Sequence, residues 1–341
     1  MHPKLFEIFG IPVYSFGLMM GISFIIGSML LTSEMNRKKI NIETSGTVIF
    51  LLRILYLFIL IFFLFAMFIQ STPLESFTDI ISSSTMRMIA TALFAGFGIL
   101  LFRKPTEGMF DLAGGVTIIC LLFGVVGSKV LYLFETWQTF ALDPLKEAFS
   151  PGGLTWYGGF LLVTVVIFWY ARKIKISFWQ IADAVSPALL FAYGIARIGC
   201  HLSGDGDYGF PTTLPWGTDY SNGTFPPSLA FKNFPEITSK FPNGIVPDTT
   251  PCQPTPVYEF IICTILFYFL WRNRAKIVGT GRMFMWYLVA AGAERFTIEF
   301  IRINPRILFG LSEAQLISVV LILFGVYGLT AIPPERKKTD S

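Results

Sequence analysis

Nine stretches of roughly twenty apolar residues punctuate this 341-residue chain, at 12–32, 47–69, 86–102, 108–134, 155–171, 178–198, 256–271, 283–301 and 314–332. A helix needs about 20 residues to cross a bilayer. Within lipid the backbone must satisfy its own hydrogen bonds, which leaves helices or closed barrels. Barrel strands run about ten residues and alternate in polarity, and these runs do neither. The expected fold is therefore an all-α polytopic membrane protein with about nine transmembrane helices, a single integral membrane domain over 1–341. Composition agrees: 53% of residues are hydrophobic and 14% charged, against about a quarter charged in soluble domains. The first run carries no small-residue cleavage site and is read as a retained span, not a signal peptide.

Orientation follows from Lys and Arg, which favour cytoplasmic loops. Basic clusters fall at 36–39, 103–104, 172–175, 272–282 and 335–338 and hold 15 of the 26 Lys and Arg. With nine spans all five lie on one side. The amino terminus is then outside, the carboxy terminus cytoplasmic, and the long loop at 202–255 extracytoplasmic. The net charge of +4 reflects this asymmetry and gives no reason to expect nucleic acid.

The 202–255 loop is rich in Pro, Gly, Thr and Asn. So long an excursion among tight loops is a lid, a cap or a binding surface, or else a tolerated insertion; length alone leaves both open. The "NGT" at 222–224 matches a glycosylation sequon, a short and weak signal. Four cysteines are too few and too scattered for a metal site or a disulfide framework. Cys120 and Cys263 lie mid-span as small apolar fillers. Cys200 and Cys252 both fall near the outer face, where an oxidising compartment would permit a disulfide.

Charges within membrane spans are costly and face a protein interior or a watery cavity. Lys129, Asp183, Arg197 with His201, Tyr258 with Glu259, and the run Glu294, Arg295, Glu299, Arg302 stand out. Arg197 and His201 are four apart and share a helix face, as do Arg295 and Glu299, with Arg302 continuing the stripe. Such groups also serve as neutralising pairs that fix packing, and for Asp183 or Lys129 alone that reading is as good as a functional one. Three guanidiniums are more than Glu299 alone can pair, so they are expected to recruit an anion. Phosphate fits the guanidinium fork. In "SPGGLTWYGGF", 150–160, paired glycines permit close approach either of a neighbouring helix or of a ligand.

These residues resemble a family. "GGLTWYGG", then "RKIKISFWQIADAVSPALLFAYGIARIGCHLSGDGDYG", with "YSFGLMMGISF", "GSKVLY", "PTPVYE", "ERFTIEFIR" and "GLSEAQLIS" in order, look like the prolipoprotein diacylglyceryl transferases. The resemblance covers most of the chain. It implies a seven-helix core, with 40–105 as an inserted helical hairpin that preserves orientation. It implies a multi-pass protein of the bacterial cytoplasmic (inner) membrane, with its active site toward the outer leaflet. The implied reaction moves diacylglycerol from phosphatidylglycerol to the lipobox cysteine thiol of a prolipoprotein, recognised with its signal peptide, and releases glycerol phosphate. The implied chemistry needs no metal or cofactor. Arg197 matches the family's lipid-phosphate arginine, and Arg295 with Glu299 its Arg-x-x-x-Glu pair; Gly158, Gly159, Gly199 and Arg302 join Arg197 as candidate lipid-binding residues.

The departures concern the bases. Tyr157 stands where the family has histidine before Gly158-Gly159. Cys200 and Ser203 replace asparagines, Asp205 replaces a glutamate, and Phe16 and Ala291 replace tyrosines. The arginines are kept, so the chain is expected to be an active, divergent branch with His201, Tyr157 or Asp205 accepting the thiol proton. The competing expectation is a non-catalytic phospholipid-binding or transport protein on the same scaffold. An unrelated transporter with a proton relay is disfavoured by the absent internal repeat.

Overall fold

The computed structural model describes residues 1–8, 11–69, 96, 98, 108–150, 153, 155–277 and 280–332. Eight of the apolar runs fold as long helices: α1, Ser15–Arg37; α2, Ser45–Ile69; α3, Leu112–Glu135; α4, Trp156–Lys173; α5, Phe178–Ser203; α6, Thr255–Asn273; α7, Arg282–Ile298; and α8, Glu313–Ala331. Five of these, α1, α3, α5, α6 and α8, are long and apolar enough to cross a membrane. The ninth run, 86–102, and with it most of the second half of the expected hairpin, lies outside the described residues apart from Gly96 and Gly98, which are helical. The fold is thus that of a largely helical, polytopic membrane protein. The sequence pattern did not anticipate two antiparallel hairpins: β1, Lys4–Ile8, with β2, Ile11–Tyr14, and β3, Arg306–Leu308, with β4, Leu311–Ser312.

The chain divides into two units, Met1–Glu34 with Trp179–Ser341, and Met35–Phe178. In the first, small residues let helices approach. A Cβ on Gly194 of α5 would sit 3.0 Å from Cys263 Cβ on α6, and one on Gly292 of α7 would meet Ile322 and the Ser318 carbonyl of α8 at 2.8 and 3.0 Å. Association in lipid depends on such close packing, because apolar burial drives little there. Helix ends are fixed by side chains. Ser312 and Gln315 form a reciprocal capping box at the start of α8, satisfying two orphan donors. Asp183, buried in α5, accepts from the backbone N–H of Gly281 at 2.7 Å and of Phe284 at 2.9 Å, clasping the N-terminus of α7. A carboxylate there meets both the free amides and the positive end of the helix dipole. Of the two readings open for Asp183, the structural one has a visible geometry.

Residues 204–254, between α5 and α6, form a folded cap. Tyr208, Tyr220, Phe231, Ile237, Val246 and Cys252 are buried together, with Tyr208 and Tyr220 stacked at 4.2 Å. Single-turn helices at Pro227–Ala230 and Pro235–Thr238 and bridges from Cys252 to Pro211 and Thr218 complete it. Cys200 and Cys252 are both free thiols, so the disulfide considered from sequence is not formed. The cap is stitched to the segment after α7: Gly209 pairs with Arg302, and Phe210 N–H donates to the Ile301 carbonyl at 3.2 Å.

In the second unit, Asp111 caps α3 by accepting from Gly114 N–H at 2.7 Å, and Asn41 bonds both Asp111 and Ala113 N–H. Helices α3 and α4 meet through glycine. A Cβ on either Gly127 or Gly158 would collide with the other's carbonyl oxygen, and one on Gly159 would reach Gly124 O at 2.7 Å. Lys129 donates to the Ser150 carbonyl at 3.0 Å and to its hydroxyl at 2.9 Å, which anchors a helix end.

Candidate active site

Three elements of the first unit deliver charge to one place. The last two turns of α5 bring Arg197, the start of α6 brings Glu259, and the end of α7 with the residues after it brings Arg295, Glu299 and Arg302. The cap adds Asp207. Pro254 and Pro256 flank the start of α6, where a proline's missing N–H costs nothing, so Glu259 falls in the first turns of that helix.

Glu259 is fully buried and is the hub. It accepts from Arg197 Nε at 2.6 Å and Nη2 at 3.2 Å, a fork-on-fork pair. It also accepts from Arg295 Nη1 at 3.2 Å, Arg302 Nη1 at 3.4 Å and the Tyr193 hydroxyl at 3.1 Å. The Arg197 guanidinium lies 5.4 Å from the centre of the Tyr193 ring. Glu299, equally buried, faces Arg295 Nη2 at 3.2 Å and Arg302 Nε at 3.7 Å, and accepts from Asn304 Nδ2 at 2.7 Å. Asp207 bridges two arginines, taking Arg197 Nη1 at 2.6 Å on one oxygen and Arg302 Nη2 on the other. Burial alone would raise the Asp207 carboxyl, but Arg197 and Arg302 outweigh it and hold the group at about 2.

This overturns one expectation. The arginines are not left with Glu299 as their sole partner: Glu259 and Asp207 make the ion-paired set three guanidiniums against three carboxylates. Neither acid was picked out from sequence as a site residue, although Glu259 was visible as a carboxylate in an apolar run. A carboxylate where a span opens, set against arginines unpaired on their own helices, is the signal that points to it.

The candidate proton acceptors are distributed differently. His201 is one turn beyond Arg197, yet its Nδ1 lies 3.0 Å from the Tyr220 hydroxyl of the cap, the rings edge to face. Arg197 instead turns to Glu259 and Asp207, so the two side chains of the shared face go to different partners. Asp205 is half-buried, and burial followed by the charge of Asp207 pushes its carboxyl up, which makes it a better base than a free aspartate. Tyr157, Gly158 and Gly159 belong to the other unit, where the glycines are spent on the α3–α4 contact and Tyr157 is exposed. Gly199 packs on α1, where an added Cβ would stand 3.0 Å from Met19 Cβ.

Among the described residues one group has the ligand types and spacing for a cation, Cys200, Asp205 and Asp207. Both oxygens of Asp207 already accept from guanidiniums, and Arg197 Nη1 points at Cys200 Sγ at 3.3 Å. Two guanidiniums at that spot disfavour a cation. The arrangement is suited to gripping a phosphate ester and to stabilising charge that develops on its oxygens.

Comparison with known proteins points the same way. Residues 84–331 match the family model described as prolipoprotein diacylglyceryl transferase. The chain is 29% identical over 243 residues to a phosphatidylglycerol–prolipoprotein diacylglyceryl transferase of Clostridium tetani, covering 70% of this chain and 89% of the relative. It is 27% identical over 240 residues to the protein of that name from Dehalococcoides mccartyi, covering 70% and 84%. A third of that name, from Leptospira interrogans, is 27% identical over 263 residues, covering 62% and 76%.

Proposed function

The chain belongs to the prolipoprotein diacylglyceryl transferase family, and from that premise we propose that it transfers the diacylglyceryl group of phosphatidylglycerol to the thiol of a prolipoprotein's lipobox cysteine. The thiol sulfur attacks the diacylglycerol carbon that bears the phosphate. A C–S bond forms, the C–O bond breaks, and glycerol phosphate leaves with that oxygen. The thiol proton goes to a base.

The leaving group passes from a singly charged diester to a doubly charged monoester, so the protein must stabilise a growing negative charge. The convergence of Arg197, Arg295 and Arg302 on one carboxylate hub supports this reading most directly. Preorganised donors aimed at developing charge are among the largest catalytic contributions an enzyme makes. In this proposal Arg197 and Arg302 hold the phosphate and Gly199 sets the position of α5 against α1 beside it. Arg295, the most open of the three guanidiniums at 28% side-chain exposure, attends the leaving oxygen, with Glu299 orienting it. His201 is the assigned proton acceptor, with Asp205 and Tyr157 its rivals. In the tautomer whose Nδ1–H donates to Tyr220, His201 Nε2 is free to take a proton. The site faces the outer leaflet of a bacterial inner membrane, and the prolipoprotein is recognised there by its signal peptide region.

The purified chain, given phosphatidylglycerol and a lipobox peptide, should release glycerol phosphate only when the peptide carries its cysteine, and Arg197→Gln should abolish the release. Binding of the lipid without thiol-dependent release would replace the transferase reading by a lipid-binding one.

A further inference from the structure

We propose that Asp207 is an internal stand-in for the substrate phosphate: its carboxylate bridges Arg197 and Arg302 where two phosphate oxygens would lie, and it swings aside when a phosphate ester binds. The identity of that ester rests on the transferase reading; the displacement does not.

Four observations support the exchange. The first is geometry. One oxygen of Asp207 accepts from Arg197 Nη1 at 2.6 Å and the other from Arg302 Nη2, the two-armed grip by which guanidiniums hold phosphate. The second is charge. With Asp207 in place, the three guanidiniums are matched by three carboxylates, and an incoming anion would be in surplus. With Asp207 withdrawn one positive charge is left over, which matches a phosphodiester.

The third is exposure. Glu259 and Glu299 have fully buried side chains and cannot withdraw without stranding a charge, whereas the Asp207 side chain is 33% exposed and can turn into water. The fourth is anchoring. The Asp207 carbonyl accepts from Thr255 Oγ1 at 2.6 Å, and Gly209 N–H donates to the Gln253 carbonyl at 2.8 Å. The backbone is pinned at and just after Asp207, so a side-chain rotation suffices for the exchange. Asp207 stays ionised at every physiological pH, so the competitor is always present.

The arrangement has a use on each side of the reaction. Before binding, Asp207 keeps two guanidiniums in register, so little reorganisation is required of them. Afterwards it competes for the arginines with glycerol phosphate, a product more highly charged than the substrate, and hastens its departure. Asp207 is on this account a residue that tunes phosphate affinity, and it takes no part in bond breaking.

Asp207→Asn keeps the shape and removes the charge. In the full-length purified protein it should tighten binding of glycerol 1-phosphate by about ten-fold, the worth of roughly one charge-assisted hydrogen bond no longer displaced. The KM for phosphatidylglycerol should fall with it, and kcat should fall where product release limits turnover. Unchanged or weaker binding of glycerol 1-phosphate would overturn the proposal and make Asp207 a structural ion pair. If the variant does not fold, infrared difference spectra of the wild-type protein decide. Adding glycerol 1-phosphate should change a carboxylate band, and no such change overturns the proposal. Binding tightened in Asp207→Asn, in a wild type that shows no thiol-dependent transfer, would sink the transferase reading and leave the exchange standing.

Discussion

Glu259 receives three guanidiniums and a phenol on two oxygens, so its loss strands more charge than its own. Removing one partner of a buried pair costs about 3–5 kcal/mol, and Glu259→Ala should lower the stability of the detergent-solubilised protein by at least that much in thermal unfolding. Glu259→Gln, which keeps the acceptor oxygen, should cost less; equal stability of all three proteins would remove Glu259 as the hub. The reason this residue stood out as a charge but was not joined to the arginines is spacing. Arg197 is 62 positions before it and Arg302 43 after, and helix-face arithmetic sees only neighbours three or four apart. The same limit made Arg197 and His201 look like a functional pair, when the fold sends one to the carboxylates and the other to Tyr220. For the base the expectation stays with His201: loss of a general base slows reactions by about 10²–10⁴-fold. His201→Gln should slow transfer by that range and Tyr157→Phe by less, with phosphatidylglycerol binding kept in both. The reverse order would move the assignment to Tyr157.

At the scale of helices, apolar runs of the right length were enough to locate eight elements to within a few residues, because a span is defined by length and hydrophobicity alone. The ends were harder. α5 runs to Ser203, beyond the apolar run that closes at 198, with Gly199, Cys200 and Ser203 buried by tertiary packing that no local pattern reveals. The two hairpins were missed because each is short and lies where the sequence carries no alternation. Paired glycines at 158–159 left helix packing and lipid contact equally open, and the collision that a Cβ on Gly158 would have with Gly127 supplies a geometry for packing. Gly158→Val should therefore destabilise the protein by about 1–3 kcal/mol, seen as a lower unfolding temperature, with little change in the KM of whatever folded protein remains. A raised KM at unchanged stability would return Gly158 to the lipid site.

For the molecule as a whole, the five basic clusters lead us to propose an outward amino terminus and cap. Asn222, exposed on the cap, is the better reporter than its neighbour Gly223, whose Cβ would press on Gly204 O at 2.6 Å. Asn222→Cys should react with an impermeant thiol reagent in intact cells, since Cys200, Cys252 and Cys263 are buried; protection there would invert the orientation. The carboxylate hub also bears on how such a chain gets into a membrane at all. Arg197 leaves the ribosome before Glu259, and both leave it before Arg295, Glu299 and Arg302. A lone ionised side chain costs about 2.5–3.5 kcal/mol to insert at the centre of a span and less toward its ends, where Arg197 and Glu259 lie; their fork would let α5 and α6 go in as a neutral couple until α7 arrives with its own charges. Arg197, proposed to hold the phosphate, and Glu259, which holds Arg197, would then also ease biogenesis, and substitutions at either should register in insertion yield as well as in turnover.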